Sequence, residues 1–566
     1  MNPPAENKPA GRTVVALLGA IVLIAFAVHW VALGETRVVN GPDAKIHFRW
    51  ALQFATSLAD GTWYPRWATY SYLGLGDPTF LYIHPLFYYL TAAINVLTQD
   101  IWKSILLVGA ISSATAALAT YWVTSQHASR VFALCAALAI AISPYAFHLA
   151  HYQQFLPMHF AMPMLVLFIG SVWTPSDRWR IPLIAVSLAL LVGSHILVAF
   201  MALICTGTVV VWRLLRSDGA RRLIVQYGLG VMLGLGLSAA YLLPAMTTQH
   251  LVTPAGWYAP VYLDWKNAFL LQYFTLPGHG YRWFHLQWTI PLLTVMACVA
   301  AGLFLWLAKA RRDASWWKAA EMLAMALFAL ILGSELTYPL WDNIGFFRRI
   351  QFPLRFLQLA SIAALIALMW SAHLLPSTKR FRASAAIFLF LLGNAAMLGA
   401  LERQFSIEAK PALSVSAPGR ALGGQPEMKP ASAGNAWRQY VDQGGWLSDC
   451  KNLRITCAQV TDQSHHKVWV VERSNTDVAA VRAPLFWFPA WSFSIDGKPV
   501  QPNVDSATGL PEIPLADSRV TIEANWSGLP QERMGMAVSV VCLFVVAVLL
   551  VFGYRGGRRV EVERVA

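Results

Sequence analysis

Long apolar runs alternate with short polar links along most of the chain. Runs at 13–33, 104–123, 131–147, 155–173, 181–193, 196–212, 223–246, 288–307, 319–333, 356–374, 383–401 and 534–552 mostly approach the ~20 residues a helix needs to cross ~30 Å of hydrocarbon. They predict a polytopic α-helical membrane protein with about twelve transmembrane helices. One further run, 81–97, fits either a crossing or a helix lying on the outer membrane surface. A crossing there would turn Arg130, Arg178 and Arg180 outward, against the usual charge bias, and a surface placement would leave them inside; the run itself leaves both open. With the surface placement, the runs 181–193 and 196–212 are two short crossings broken at "GSH". Such a break must sit inside protein or beside a water-filled cavity.

The polar stretches organise the rest. A long first outer loop, 34–101, is dense in aromatic residues and prolines ("GTWYPRWATYSYLGLGDPTFLYIHPLFYYL"), which suits juxtamembrane helices at the bilayer interface. Outer loops follow at 247–287 and 334–355. From 402 the pattern changes to period two, as in "HKVWVVERS", "SFSIDGKPV" and "RVTIEANW", which predicts strands. Asp496-Gly497 between two such stretches is a hairpin signal. The expected layout is a cytoplasmic N-terminus (1–12), a transmembrane domain (13–401), a small mainly-β extracytoplasmic domain (402–533), a last transmembrane helix (534–552) and a basic cytoplasmic tail (553–566).

Composition agrees. Of the 566 residues, 57% are hydrophobic and 13% charged, with a mean hydropathy of +0.49, well beyond what one soluble core requires. The net charge of +14 lies largely in short links such as "RLLRSDGARR", "KARRD", "STKRFR" and "RGGRR", cytoplasmic by the positive-inside rule. No basic stripe sits on a soluble module, so nucleic acid is not an expected partner. Cys135, Cys205, Cys298 and Cys542 fall in apolar runs as small hydrophobes. Cys450 and Cys457 share the soluble segment with no histidine at zinc-ligand spacing, which points to a disulfide in an oxidising compartment.

Walker, zinc-protease, serine-hydrolase and Asp-x-Asp signatures are absent, so any chemistry is built from dispersed loop residues. Asp43, in "NGPDAKIHFRW", is placed to take a proton from an acceptor hydroxyl, or to pair with Lys45 or Arg49 as an ordinary loop carboxylate. His84, before Pro85, is a phosphate contact or an interfacial histidine, and Asp77 a substrate contact or a turn cap before Pro78. Arg348, Arg349 and Arg355 in "FFRRIQFPLRF" offer guanidinium forks to phosphate or anchor the next helix. His148, His151, Gln154 and His159 are core or substrate contacts, their spacing matching no standard metal site. Trp257 and Tyr258 stack on a sugar or anchor the interface. No cofactor is called for, a divalent metal being left open.

The first helix, the acid early in the first outer loop, "TWYPRW…GDPTFLYIHPLFYYLTA", the late "QFPLRFL" and "FPAWSFSIDGKPV" together resemble the YfhO-like membrane proteins. That group includes those called 6-pyruvoyl-tetrahydropterin synthase-related and sits with the GT-C superfamily of polyprenyl-phosphate-sugar-dependent glycosyltransferases. The likeness runs over nearly the whole chain in layout and rests on short motifs. It implies a GT-C-like fold and an integral membrane glycosyltransferase. The donor would be a polyprenyl-phosphate sugar, and the acceptor an envelope glycan or glycolipid. Asp43 would be the catalytic base of an inverting transfer. His84, with Arg348, Arg349 and Arg355, would hold the donor phosphate. In GT-C enzymes such as the lipid A aminoarabinose transferase a lysine stands where this chain has His84. The second acid those enzymes carry after the third span has no match in "HYQQFLPMHF". The resemblance further implies a bacterial inner membrane, with the active-site loops and the β domain on the periplasmic side. A lipid or glycan transporter or flippase, and a non-catalytic envelope-assembly scaffold, are the alternatives.

Overall fold

The computed structural model describes residues 11–29, 43–216, 221–253, 265–270, 288–310, 312–408, 424–473 and 478–565. Its principal helices are α1 (Gly11–Val28), α2 (Ala44–Ala59), α3 (Leu86–Thr98), α4 (Ile101–Ser125), α5 (Arg130–Ala141), α6 (Met162–Trp173), α7 (Asp177–Ser194), α8 (Ile196–Arg216), α9 (Arg221–Leu237), α10 (Ala239–Thr247), α11 (Ile290–Leu307), α12 (Ala314–Leu332), α13 (Phe356–His373), α14 (Ser377–Glu408), α15 (Trp437–Asp442) and α16 (Gly445–Asn452). Eight strands follow, then α17 (Pro530–Val565). Among the described residues ten helical segments are long and apolar enough to cross a membrane, and α9 with α10, bent by 77°, makes an eleventh. α7, with 18 residues, is also of crossing length. The chain is a multi-pass helical membrane protein. α13 is buried along nearly its whole length and is the post against which α11 and α12 pack.

The helices depart from the apolar runs in instructive places. The two half-crossings expected around "GSH" are instead helices of 18 and 21 residues. Asp177, Arg178 and Arg180 join the first turns of α7, with Asp177 and Arg180 ion-paired there, so the helix starts before its apolar run. The break narrows to His195, an extended residue (φ −163°, ψ 103°). The run at 81–97 yields a short turn, Thr79–Tyr82, and the 13-residue α3. At 1.5 Å per residue, α3 is too short to span.

The crossing expected at 131–147 is discontinuous. α5 stops at Ala141, Ser143 caps the Ala146 N–H at 3.3 Å, and a Pro144–Phe147 turn leads into a π-helical stretch, His148–Gln153. Pro144 lacks the donor that would continue α5. Nearly every residue from 144 to 163 is buried, as a backbone break in a membrane requires. Against this break, where Phe405 meets Phe147 and His151, α14 runs on to Glu408, so residues 402–408, expected to open the β domain, are helical.

The β module has two antiparallel sheets, ordered β1-β2-β8-β4-β5 and β3-β7-β6. The strands are β1 (Ile455–Asp462), β2 (His466–Arg473), β3 (Ala480–Arg482), β4 (Trp491–Ile495), β5 (Lys498–Val500), β6 (Asn503–Val504), β7 (Pro511–Pro514) and β8 (Arg519–Trp526). β2 and β8 bury every second residue. Asp496 and Gly497 both have positive φ (45° and 77°) and turn β4 into β5, the geometry a two-residue hairpin needs. A disulfide joins Cys450 in α16 to Cys457 in β1.

The module is built onto the first loop of the membrane domain. Trp67, 1% exposed, sits among Phe488, Trp491 and Trp526 with ring centroids 6.0, 5.6 and 5.8 Å away. Gly76 (φ +75°) passes so close to the Trp67 ring that no Cβ fits. The Phe486 N–H donates to the Leu75 carbonyl at 2.9 Å. Beneath this, Arg66 pairs with Glu532 at the start of α17 at 2.9 Å, with side chains 6% and 11% exposed. The Arg66 guanidinium also donates to the Ala240 carbonyl of α10 at 2.9 Å. One cation thus ties three elements together. Removing one partner of a buried pair strands the other, at a cost of roughly 3–5 kcal/mol. Arg66→Met is therefore expected to lower the thermal midpoint of the purified protein in a detergent unfolding assay, and Arg66→Met with Glu532→Leu to regain most of the loss.

Candidate functional site

Five residues at helix starts and helix breaks define a site on the side of the bundle that carries the β module. Asp43 precedes α2. Its carbonyl accepts the His47 N–H at 3.0 Å, while its carboxylate makes no capping bond to the helix. It is half-buried. His84 lies in the extended link between the Thr79–Tyr82 turn and α3, held by the Pro85 that follows. Its ring is 5.0 Å from that of His195, and its Nε2 is buried without a hydrogen-bond partner. His195 exists in this position because α7 and α8 are separated there, and its Nδ1 accepts the Val198 N–H at 3.3 Å.

Arg355 supplies the charge. It ends the Pro353–Arg355 turn that leads into α13 and is 8% exposed. Its Nη1 donates to the Ile350 carbonyl at 2.5 Å, its Nε is buried with no partner, and its guanidinium lies over the Phe352 and Phe155 rings. Its field reaches Asp43, His84, His195 and Tyr145. Tyr145, at the broken crossing, presents a buried hydroxyl with no hydrogen-bond partner. His47 of α2 hydrogen-bonds Tyr88 Oη at 2.8 Å behind His84.

Burial pushes the Asp43 carboxyl up to about 6; Arg355 opposes that shift and Glu427 adds to it. Burial lowers His84 to about 3, with Arg355 contributing, and lowers His47 to about 3, with His84 contributing. Near neutral pH the site thus holds a largely ionised carboxylate, one guanidinium and neutral imidazoles. The carboxylate is a stronger base than an ordinary aspartate, and the arginine presents N–H groups that protein atoms do not fully use.

Of the residues expected from the sequence, Asp43, His84 and Arg355 come together. Arg348 and Arg349 do not join them: both are exposed, and Arg348 folds back onto the Trp341 and Asp342 carbonyls. Asp77 is fully buried, accepts the Thr79 N–H at 3.0 Å and bridges to Ala68, so it builds the loop that carries His84. Burial pushes its carboxyl up to about 7. His151 and His159 belong to a separate buried chain. His151 Nε2 bonds His29 Nδ1 at 2.7 Å, His29 Nε2 bonds Ser113 Oγ at 2.8 Å, and Ser113 Oγ bonds His159 Nε2 at 3.0 Å. His148 stacks on Tyr152, and Gln154, at positive φ, has a buried Oε1 without a partner. Among the described residues no group of three or more His, Cys, Asp or Glu side chains is arranged to hold a metal. Trp257 and Tyr258 lie outside the described residues.

His47, Tyr88, Tyr145, His195 and Glu427 were not singled out by sequence. His195 carried a usable signal, a histidine at a helix break. Glu427 sits in a polar stretch with no pattern.

No protein-family model and no curated protein matches the chain. Among solved structures it is similar to ArnT from Cupriavidus metallidurans bound to undecaprenyl phosphate, with 15% identity and a TM-score of 0.43 over 71% of this chain and 77% of that one. It is similar to the arabinofuranosyltransferase AftD from Mycobacteria, with 14% identity and a TM-score of 0.44 over 92% of this chain but 40% of AftD. It is similar to the Archaeoglobus fulgidus oligosaccharyltransferase in complex with zinc and sulfate, with 14% identity and a TM-score of 0.39 over 73% and 58%. All three likenesses are distant.

The raised Asp43 carboxyl has a measurable sign. Its proton is held more tightly in the folded chain than in the unfolded one, where the group titrates near ~4. Stability contributed by the protonated form is therefore lost as pH rises from about 4 through about 6. Asp43→Asn, which cannot ionise, should match wild type in thermal midpoint at the acid end of that window. Above the window its midpoint should exceed that of wild type by the equivalent of roughly 1–3 kcal/mol of stability, as scanning fluorimetry across the pH range would read.

Proposed function

We propose that the chain is a membrane glycosyltransferase moving a sugar from a polyprenyl-phosphate-linked donor to an envelope glycan or glycolipid acceptor, with inversion. The observation that carries this reading is that the Asp43 carboxyl lies within the field of the Arg355 guanidinium, beside His84 and Tyr145. Asp43 takes the proton of the acceptor hydroxyl as its oxygen attacks the anomeric carbon. The bond from that carbon to the phosphate oxygen breaks, and the electron pair leaves with the lipid phosphate. Negative charge grows on the phosphate, where Arg355 meets it with N–H donors fixed in advance. His84, being neutral, contributes a hydrogen bond rather than a charge. The resemblance of the outer-loop motifs to GT-C enzymes supports the donor class.

A narrow crevice of about 40 Å³ between α5, α6, α11, α13 and α14 leads to Tyr145, beside Arg355. It marks a route for the lipid tail from the side, though taking a prenyl chain requires it to widen. The basic links lie at the helix ends remote from the β module. By the positive-inside rule this supports a bacterial inner membrane with the site and module on the periplasmic side.

A lipid or glycan transporter is the second reading, favoured by the buried chain of His29, Ser113, His151 and His159, since polar groups within a bundle often line a transport path. Uptake of labelled lipid-linked sugar into proteoliposomes, without any transfer, would replace the first reading with this one.

With a panel of labelled polyprenyl-phosphate sugars and the purified protein, wild type should release or transfer sugar, and folded Asp43→Asn should lose roughly 10²–10⁴ in rate. Arg355→Met should lose about 10² or more, with partial recovery in Arg355→Lys. Because the base must be ionised, kcat/KM should fall about tenfold per pH unit below about 6. Full activity in Asp43→Asn would remove the base from the mechanism.

A further inference from the structure

The β module holds a second site, which the transfer step does not use. A cleft of about 370 Å³ lies between α15, α16, the end of β3 and the 505–508 loop. The exposed side-chain amides of Gln439, Gln443 and Asn452 border it, together with the hydroxyl of Ser448, while the Thr508 hydroxyl is buried and donates to Asp505 at 2.6 Å. Its floor is fixed. Arg482 donates to both oxygens of Asp449 at 2.9 and 2.8 Å and reaches Asp505 at 3.4 Å, and its guanidinium lies 4.7 Å above the Tyr440 ring. Tyr440 is 7% exposed, and its hydroxyl is buried without a well-formed hydrogen bond. The Cys450–Cys457 disulfide anchors α16 next to Asp449.

The charges in this floor are spent on one another. A charged ligand would have to break a two-point guanidinium–carboxylate fork to profit from either partner. What remains for a ligand is three amides and the Ser448 hydroxyl, groups that each donate and accept, as do the neighbouring hydroxyls of a sugar ring. The volume sits at the low end of the ~300–1,000 Å³ typical of small-ligand sites. The pinned floor fixes the backbone that carries these groups, so their spacing is set before a ligand arrives.

We infer that this cleft binds a neutral sugar segment of a glycan chain. The inference deepens the transferase reading by giving the non-reacting part of the acceptor a place to rest, and it concerns residues that reading leaves idle. The geometry also links the two places. Trp437 of α15 packs edge-on against Tyr72 of the first loop at 5.1 Å, and Tyr72 Oη donates to the Gln425 carbonyl at 2.5 Å, two residues from Glu427.

The test is saturation-transfer NMR on the full chain in lipid nanodiscs with maltotriose, cellotriose, mannotriose, chitotriose and, as the acidic member, trigalacturonate. At least one neutral trisaccharide should bind with a Kd on the order of a millimolar. Gln439→Ala with Gln443→Ala, both exposed, one within α15 and one at its C-cap, should weaken it about tenfold with the thermal midpoint unchanged. Asp43→Asn should bind as wild type does whatever its effect on transfer, so the failure of one reading is distinguishable from the failure of the other. No binding by any neutral member at ~10 mM, equal binding in the double variant, or binding by trigalacturonate alone would each overturn the inference.

Discussion

Backbone N–H and C=O groups inside a bilayer have no water to bond, so a helix that breaks there must break against protein. Much of this chain's architecture follows from that constraint. The helical ladder is interrupted at Ile142–Ser143, at His195 between α7 and α8, and at Ser238. The first two bring Tyr145 and His195 to the same place as Arg355, which opens α13. Asp43 and His84 arrive from the start of α2 and the approach to α3. The site is therefore assembled from positions where the helical ladder is interrupted, and the surrounding bundle is what makes those interruptions tolerable.

The same burial that protects the breaks sets the chemistry. A carboxylate withdrawn from water is costly, and the opposing guanidinium only partly compensates Asp43. The fold tolerates a residue that would be more stable uncharged, a common pattern where a reactive group is kept at the expense of stability. Arg66 and Glu532 show the contrasting use of buried charge. Their pair is tied by a further bond to Ala240, so the charges serve to hold three elements together.

Much of this organisation was legible in the sequence because apolar length and period two are local properties. The run at 356–374 became α13 almost residue for residue, and Asp496-Gly497 turned a hairpin as its residue types require. Boundaries failed where charge entered a helix, as at Asp177 and Arg180, because an intrahelical ion pair lets a helix begin outside its apolar run. Asp43, His84 and Arg355 stood out as polar residues in greasy surroundings. Tyr145 and His47 did not, since an aromatic or a histidine beside apolar residues looks like packing until the helices that face it are known. Glu427 meets Asp43 across nearly four hundred residues, and nothing local announces such a meeting.

The β module borrows Trp67 for its core, and this orders events during synthesis. The donor of that indole emerges early, while the strands that enclose it emerge several hundred residues later. Throughout that interval the first loop carries an uncovered tryptophan and an arginine still waiting for Glu532. A chain interrupted before its last strand and helix is therefore left with that tryptophan and arginine both lacking the partners that bury them.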